Sequence, residues 1–257
     1  MNLDRLPPMA DAALLLDLDG TLLDLAPTPE SVVVPLGLPD TLRALRDRLG
    51  GALAIVTGRP VETIDALLGD APYAVAGEHG GAVRYAPGEA PLRAPLPAPP
   101  ASWLDAAERL AAAHPGVVLE RKERGFALHF RAAPEAGPAL HDALTAMLAG
   151  SAAFELLPAH MLWEVRPKGM DKGKAVRALM ARAPFAGRKP VFIGDDVTDE
   201  DGIRAAHALG GAGFQVADAF GSPSGVRGWL TDAAAAGEWQ RIPLPSRGTG
   251  RNAPREA

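Results

Sequence analysis

The chain has 257 residues, a formal net charge of −5, 47% hydrophobic and 22% charged residues, and no cysteine. That length suits one large domain or two small ones, with enough apolar surface to bury that no covalent staples are needed. The missing thiols exclude disulfides, zinc fingers, iron–sulfur clusters and a cysteine nucleophile, and the acidic balance without a long basic run argues against nucleic acid as a main partner.

From the N-terminus, the first apolar run, Ala12 to Leu16, is too short and too closely flanked by acids for a secretory leader. No stretch reaches the ~20 apolar residues of a membrane span, so a cytoplasmic protein is expected. Ala13–Leu18, Ala52–Thr57, Tyr73–Ala76, Pro190–Gly194 and Phe214–Ala217 are nearly continuous in apolar residues, as strands covered on both faces should be. Helical patterns lie between several of them. One runs from a capping Asp40 through Leu42, Leu45 and Leu49. A second opens at Pro60 and carries Val61, Ile64 and Leu68, and a third spans Lys172 to Arg182. Strands alternating with helices predict an α/β fold with a Rossmann-like, doubly wound parallel sheet.

The middle of the chain follows another pattern. Five prolines stiffen residues 90–100. A helix over Ser102–Ala113 precedes strands at Val117–Glu120 and Phe126–Arg131. A second helix, Glu135–Leu148, precedes strands at Ala153–Leu157 and Met161–Arg166, with a turn at Pro158-Ala159. Helix–strand–strand twice over predicts an inserted α+β unit with an antiparallel sheet. The expected division is a core of residues 1–88 and 167–241, an insertion of 89–166, and a disordered tail of 242–257.

Chemistry concentrates where the apolar strands end. Asp17-Leu18-Asp19-Gly20-Thr21 follows three leucines, so Asp17 and Asp19 point the same way at the carboxyl end of a buried strand, where open α/β sheets place ligands. A polar strand exit with an Asp-Gly turn is the plainer alternative. Gly194-Asp195-Asp196-Val197-Thr198-Asp199-Glu200-Asp201 repeats the arrangement. A solvated helix start accounts for Asp199, Glu200 and Asp201, but poorly for Asp195 and Asp196, which abut the strand. Carboxylates at two strand ends suggest a hard cation with oxygen ligands, Mg²⁺ above all. Thr57-Gly58-Arg59 offers a hydroxyl and backbone N–H groups for phosphate, or a plain strand-to-helix turn. Lys172 and Lys174 oppose the dipole of the helix they open, which a nearby anion would offset; an exposed basic turn is the plainer alternative, and the one favoured for Lys174.

In this order DLDGT, the Thr of IVTGR, the Lys of DKG and GDDVTD resemble the four motifs of the haloacid dehalogenase-like (HAD) phosphohydrolases. The repeated insertion resembles the type-2 cap of that superfamily. Within it, DLDGTL, IVTGRP, AGEHG, ERKERGFALHFR, WEVRPKGMDKG and GDDVTDED are most similar to trehalose-6-phosphate phosphatases. The resemblance implies a Mg²⁺-dependent phosphatase acting on trehalose 6-phosphate. A phosphatase or phosphomutase of the same build acting on a sucrose, mannose or glucose phosphate is the alternative.

The resemblance further implies that Asp17 attacks phosphorus, that Asp19 protonates the leaving oxygen, and that Thr57 and Lys172 hold the phosphoryl oxygens. Mg²⁺ would lie between Asp17, the backbone carbonyl of Asp19 and Asp195, with Asp196 or Asp199 close by. Substrate contacts are expected from Thr21, Gly58, Arg59 and His79 on the core, although His79 fits a satisfied loop histidine equally well. In the insertion they are expected from Glu120, Lys122, Arg131, Glu164 and Arg166, with solvated edge-strand charges as the alternative. Trp163 should face the other way, into the core of the insertion. A monomer with a small sugar phosphate as substrate, and neither nucleic acid nor membrane as partner, completes the expectation.

Overall fold

The computed structural model describes residues 6–122, 124–159 and 161–242. The expected tail, from residue 243 onward, lies outside the described residues. In chain order the elements are β1 (Ala12–Leu16), α1 (Leu38–Arg48), β2 (Leu53–Val56), α2 (Val61–Leu68), β3 (Ala74–Gly77), β4 (Ala82–Arg84), β5 (Leu92–Arg93) and α3 (Ala101–Ala113). They continue with β6 (Val118–Lys122), β7 (Gly125–His129), α4 (Gly137–Leu148), β8 (Phe154–Ala159), β9 (Leu162–Pro167) and α5 (Lys172–Met180). The chain closes with β10 (Lys189–Gly194), α6 (Asp199–Ala208), β11 (Ala212–Gln215), α7 (Val216–Ala219) and α8 (Pro223–Ala236).

The larger sheet has seven strands in the order β11-β10-β1-β2-β3-β4-β5. The first five run parallel, and β4 and β5 add an antiparallel edge, with Leu92 and Arg93 pairing Val83 and Ala82. Every residue of β1, β2 and β3 is buried, as strands covered on both faces require. Winding runs from β1 through β2 to β3 on one side and through β10 to β11 on the other. The carboxyl ends of β1 and β10 therefore lie side by side where the order reverses, the place such sheets reserve for ligands.

The smaller sheet is antiparallel, in the order β6-β7-β9-β8. Its two faces differ because side chains alternate. Phe126, Leu128, Val165 and Phe154 pack with Leu140 and Leu144 of α4 and Ala107 of α3 in an apolar cluster of their own. Trp163 joins that side, its indole N–H donating to the Gly137 carbonyl at 2.9 Å. The opposite face carries Glu120, Lys122, His129, Glu164 and Arg166 around Ala127.

Element ends shift by one to three residues in several places, and three of the differences have a clear physical reason. Helix α1 starts from Gly37, which takes the left-handed conformation at φ 82°, because Pro39 suits the first turn; Asp40 thus lies inside that turn and pairs with Arg43 at 2.8 Å instead of capping. The turn between β8 and β9 comes after Pro158-Ala159, since Ala159 still pairs with Leu162. β8 is an edge strand, where a proline costs no ladder hydrogen bond. β11 begins at Ala212 because Gly213 lets the strand pack tightly on Ile203 of α6, and Val216 already opens the short α7. No described helix is long and apolar enough to cross a membrane.

Phe126 has no exposed surface and sits at the centre of the smaller sheet's apolar face. Phe126→Ala should cost about 3–5 kcal/mol of unfolding free energy. Denaturant titration checks this, and a loss under about 1 kcal/mol would contradict the packing.

Candidate active site

Asp17 is the residue at which β1 leaves the sheet. Its N–H still donates to the Ile193 carbonyl of β10 at 2.9 Å, so its backbone is fixed by the sheet while its side chain stands at the strand's end. The chain then turns sharply. Gly20 adopts φ 75°, and a Cβ there would lie 2.0 Å from Asp195 Oδ2, so only glycine fits. The Thr21 hydroxyl lies 3.2 Å from Asp17 Oδ2 and 3.3 Å from Asp195 Oδ1.

Lys172 is the first residue of α5, and the Asp171 side chain caps that helix by accepting from the Lys174 N–H at 2.6 Å. The Lys172 ammonium is buried and lies 2.6 Å from both Asp17 Oδ1 and Asp199 Oδ1. Two carboxylates thus offset the dipole penalty of a lysine at a helix start. Asp199, the first residue of α6, is fully buried, and its other oxygen accepts from the N–H groups of Asp195 and Asp196 at 3.2 and 3.0 Å. The β10–α6 turn is therefore wrapped around Asp199. Asp196 is turned aside and accepts from the Val197 N–H at 2.6 Å.

Oxygens of Asp17, Asp195 and Asp199 lie within 4.8 Å of one another. Three carboxylates share one ammonium, so negative charge is left over. Burial, reinforced by the charge of Asp199, pushes the Asp17 carboxyl well above its ordinary value despite Lys172. The same two causes push Asp195 up to about 6. Burial works against the Lys172 charge, but Asp17 and Asp199 outweigh it and hold the ammonium above its usual range. An oxygen-lined site with surplus negative charge fits a divalent cation.

A cavity of about 340 Å³ opens from this cluster toward the polar face of the smaller sheet. Asp17, Asp19, Asp195, Asp196 and Lys172 form one wall, and Thr57, Gly58, Arg59 and His79 the next. Glu120, Lys122, Arg131 and Glu164 face them. Thr57 hangs from the end of β2, where its N–H donates to the Ala76 carbonyl at 2.9 Å. Arg59 grips Asp19 with two bonds, Nε to Oδ2 at 2.6 Å and Nη2 to Oδ1 at 2.7 Å. His79 takes φ 53°, directly after Glu78 at φ 52°, and its Nε2 lies 3.3 Å from Glu164 Oε2. Lys122 Nζ reaches the other oxygen of Glu164 at 2.9 Å. Burial resists the charge on Glu164, but Lys122 and His79 hold its carboxyl well below the ordinary value. Burial pushes His79 below its ordinary value, and because the Glu164 carboxylate only accepts, Nε2 is the nitrogen that donates between them.

Three expected residues do not line the cavity. Thr21 has no exposed surface and orients Asp17 and Asp195 from behind. Arg166 shares a face with Glu164 but turns to Glu155 at 3.0 Å, its register partner across the strands. Asp199 supports the cluster from inside the turn. Sequence reasoning missed His129, which lines the cavity and lies 2.8 Å from Glu120. Its spacing of two from Arg131 was the available signal. It also missed Leu25–Thr28 and Val32, which lie in a segment without regular periodicity that gave no signal.

The family model for trehalose-phosphatase matches residues 15–223. A probable trehalose-phosphate phosphatase of Sinorhizobium fredii is 39% identical over 215 residues, covering 79% of this chain and 77% of that protein. A trehalose-6-phosphate phosphatase of Escherichia coli is 37% identical over 210 residues, covering 80% and 78%. The C-terminal domain of a Candida albicans trehalose-6-phosphate phosphatase shares the fold, with a TM-score of 0.74 at 18% identity over 88% of this chain and 93% of that one.

Because the folded state holds a proton on Asp195 up to about pH 6, ionising that carboxyl removes stability as pH rises from about 4 through 6. Asp195→Asn, which has no proton to lose, should stabilise the cation-free protein more at pH 7.5 than at pH 4.5. The expected difference is about 1–2 kcal/mol, discounted for partial exposure. Unfolding titrations at the two pH values check this, and a pH-independent difference would contradict it.

Proposed function

The chain belongs to the trehalose-phosphatase family of phosphoric monoester hydrolases, and on that premise we propose that it hydrolyses trehalose 6-phosphate with bound Mg²⁺ through an aspartyl phosphate on Asp17. The observation that carries the reading is one cavity with two unlike walls: a carboxylate–lysine cluster at the strand ends, and a sheet face of fixed donors and acceptors opposite. The first suits a phosphoryl group and the second a polyol.

In this reading an Asp17 oxygen attacks phosphorus as the phosphorus–oxygen bond to the sugar breaks, and the Asp19 carboxyl proton passes to the departing sugar oxygen. Asp19 then takes a proton from water, whose oxygen attacks phosphorus. The acyl phosphate breaks, freeing phosphate and Asp17. Lys172 holds Asp17 in place and, with Thr57 and the Gly58 N–H, meets the phosphoryl oxygens. Asp17 and Asp195, together with the Asp19 backbone carbonyl, would hold Mg²⁺, with Asp199 rather than Asp196 completing the carboxylate cluster. When bound, the ion neutralises charge on the phosphoryl oxygens as two anions approach.

The expected cap boundary at residue 89 moves later, because β5 (Leu92–Arg93) belongs to the core sheet; the unit from α3 to β9, residues 101–167, acts as a cap over the core, supplying Glu120, Lys122, His129, Arg131 and Glu164 to the sugar. Polyols require such groups in fixed positions, and here each carboxylate is already tied to a cation or imidazole. Trp163, on the far side of the sheet, takes no part.

Phosphate release should be fastest with trehalose 6-phosphate in a panel that includes glucose, sucrose and mannose phosphates. It should vanish with a chelator and return with Mg²⁺. Asp17→Asn should lower kcat by about 10³-fold or more. Preference for another sugar phosphate would overturn the substrate assignment, and near-full turnover by Asp17→Asn would overturn the nucleophile.

A further inference from the structure

We propose that Arg59 is a positioning residue that fixes the acid–base carboxylate Asp19 between the phosphoryl site and the cap, rather than a ligand for phosphate or sugar. This rests on the phosphatase reading above. Three observations lead to it.

The first is geometry. The two bonds from Arg59 Nε and Nη2 engage both Asp19 oxygens at 2.6 and 2.7 Å, the planar fork-to-fork arrangement that fixes orientation as well as distance. The Arg59 side chain is 13% exposed against 31% for Asp19, so the guanidinium is the anchored partner and the carboxylate the one presented to the cavity.

The second is how Arg59 itself is held. Its N–H donates to the Thr57 hydroxyl at 3.2 Å, and its carbonyl accepts from the Glu78 N–H at 3.0 Å. It is thereby stitched to the residue that meets phosphate and to the turn that carries His79. A shift in either would be transmitted to Asp19.

The third is the field around it. Besides Asp19, the charges of Glu120 of the cap sheet and of Glu30 act on the guanidinium. A carboxylate of the core and one of the sugar-facing sheet therefore act on the same cation. That is the placement needed to set an acid against an ester oxygen whose sugar is held by the cap.

A positioning role predicts an effect only where the acid matters. A sugar alkoxide cannot leave without the Asp19 proton, whereas 4-nitrophenolate leaves unassisted. Because kcat/KM covers steps only through the first phosphoryl transfer, it isolates the acid from the later base role. In the full-length Mg²⁺-loaded enzyme, Arg59→Met should lose about 30–100-fold in kcat/KM on trehalose 6-phosphate, chiefly through kcat, within the range general acids contribute. On 4-nitrophenyl phosphate it should lose no more than about 3-fold, and inhibition of that reaction by trehalose should stay within about 2-fold of the parent. Asp19→Asn should show the same substrate split, and the double variant should be no worse than Asp19→Asn alone. Arg59→Lys should recover only part of the loss, since one ammonium cannot grip both oxygens, and it carries the same comparison should the Met variant fail to fold.

Equal losses on the two substrates would make Arg59 a phosphate ligand. Weakened trehalose inhibition would make it a sugar ligand, and additive losses in the double variant would separate it from Asp19. Each result overturns the proposal while the parent remains a phosphatase. A parent without sugar-phosphate turnover overturns the underlying reading and takes the proposal with it.

Discussion

One buried ammonium organises the core. Lys172 reaches from the first turn of α5 and holds Asp17 at the end of β1 and Asp199 at the start of α6, each at 2.6 Å. Taking these charges out of water is costly, and it is tolerated because each makes further hydrogen bonds. Asp17 meets Thr21, and Asp199 meets two backbone N–H groups. Burial, and then an excess of carboxylate over cation, make Asp17 and Asp195 resist ionisation in the bare protein. The surplus is stability that a bound cation would return.

The sheet order makes this possible. Strands β1 and β10 are far apart in sequence yet adjacent in space, and winding departs from them in opposite directions. Close approach then depends on glycines. A Cβ on Gly20 would strike Asp195, one on Gly194 would strike Asp199, and one on Gly58 would lie 2.7 Å from His79 Nε2. Small residues around the site are thus what lets charged ones meet.

Much of this was legible in the sequence. Leu14-Leu15-Leu16 before Asp17, and Phe192-Ile193-Gly194 before Asp195, mark buried strands that end in acids, and apolar run and acid together leave few other readings. The insertion was legible as helix–strand–strand repeated, because its apolar positions alternate cleanly around Phe126, Leu128 and Val165. What escaped lacked periodicity or depended on long-range pairing. The edge strands β4 and β5 are three and two residues long, too short to leave a pattern. Pro158 argued for a turn, and only its place on an edge strand makes it a strand residue. That Arg166 would choose Glu155, and Thr21 two carboxylates, follows from cross-strand register and turn geometry that no local window contains.

The polar face of the smaller sheet has a further consequence. Glu120, Ala127 and Glu164 stand in one row across β6, β7 and β9, so the backbones that carry the two carboxylates are two strand spacings apart, about 9.6 Å across the sheet. Between them lies a single methyl group with no exposed surface. The breadth and depth of the trough are therefore set by the sheet's own lattice and by the smallness of its middle residue. A position with no chemistry of its own thus forms the middle of the row that the two acids flank. A larger side chain there would have to displace the groups on either side of it.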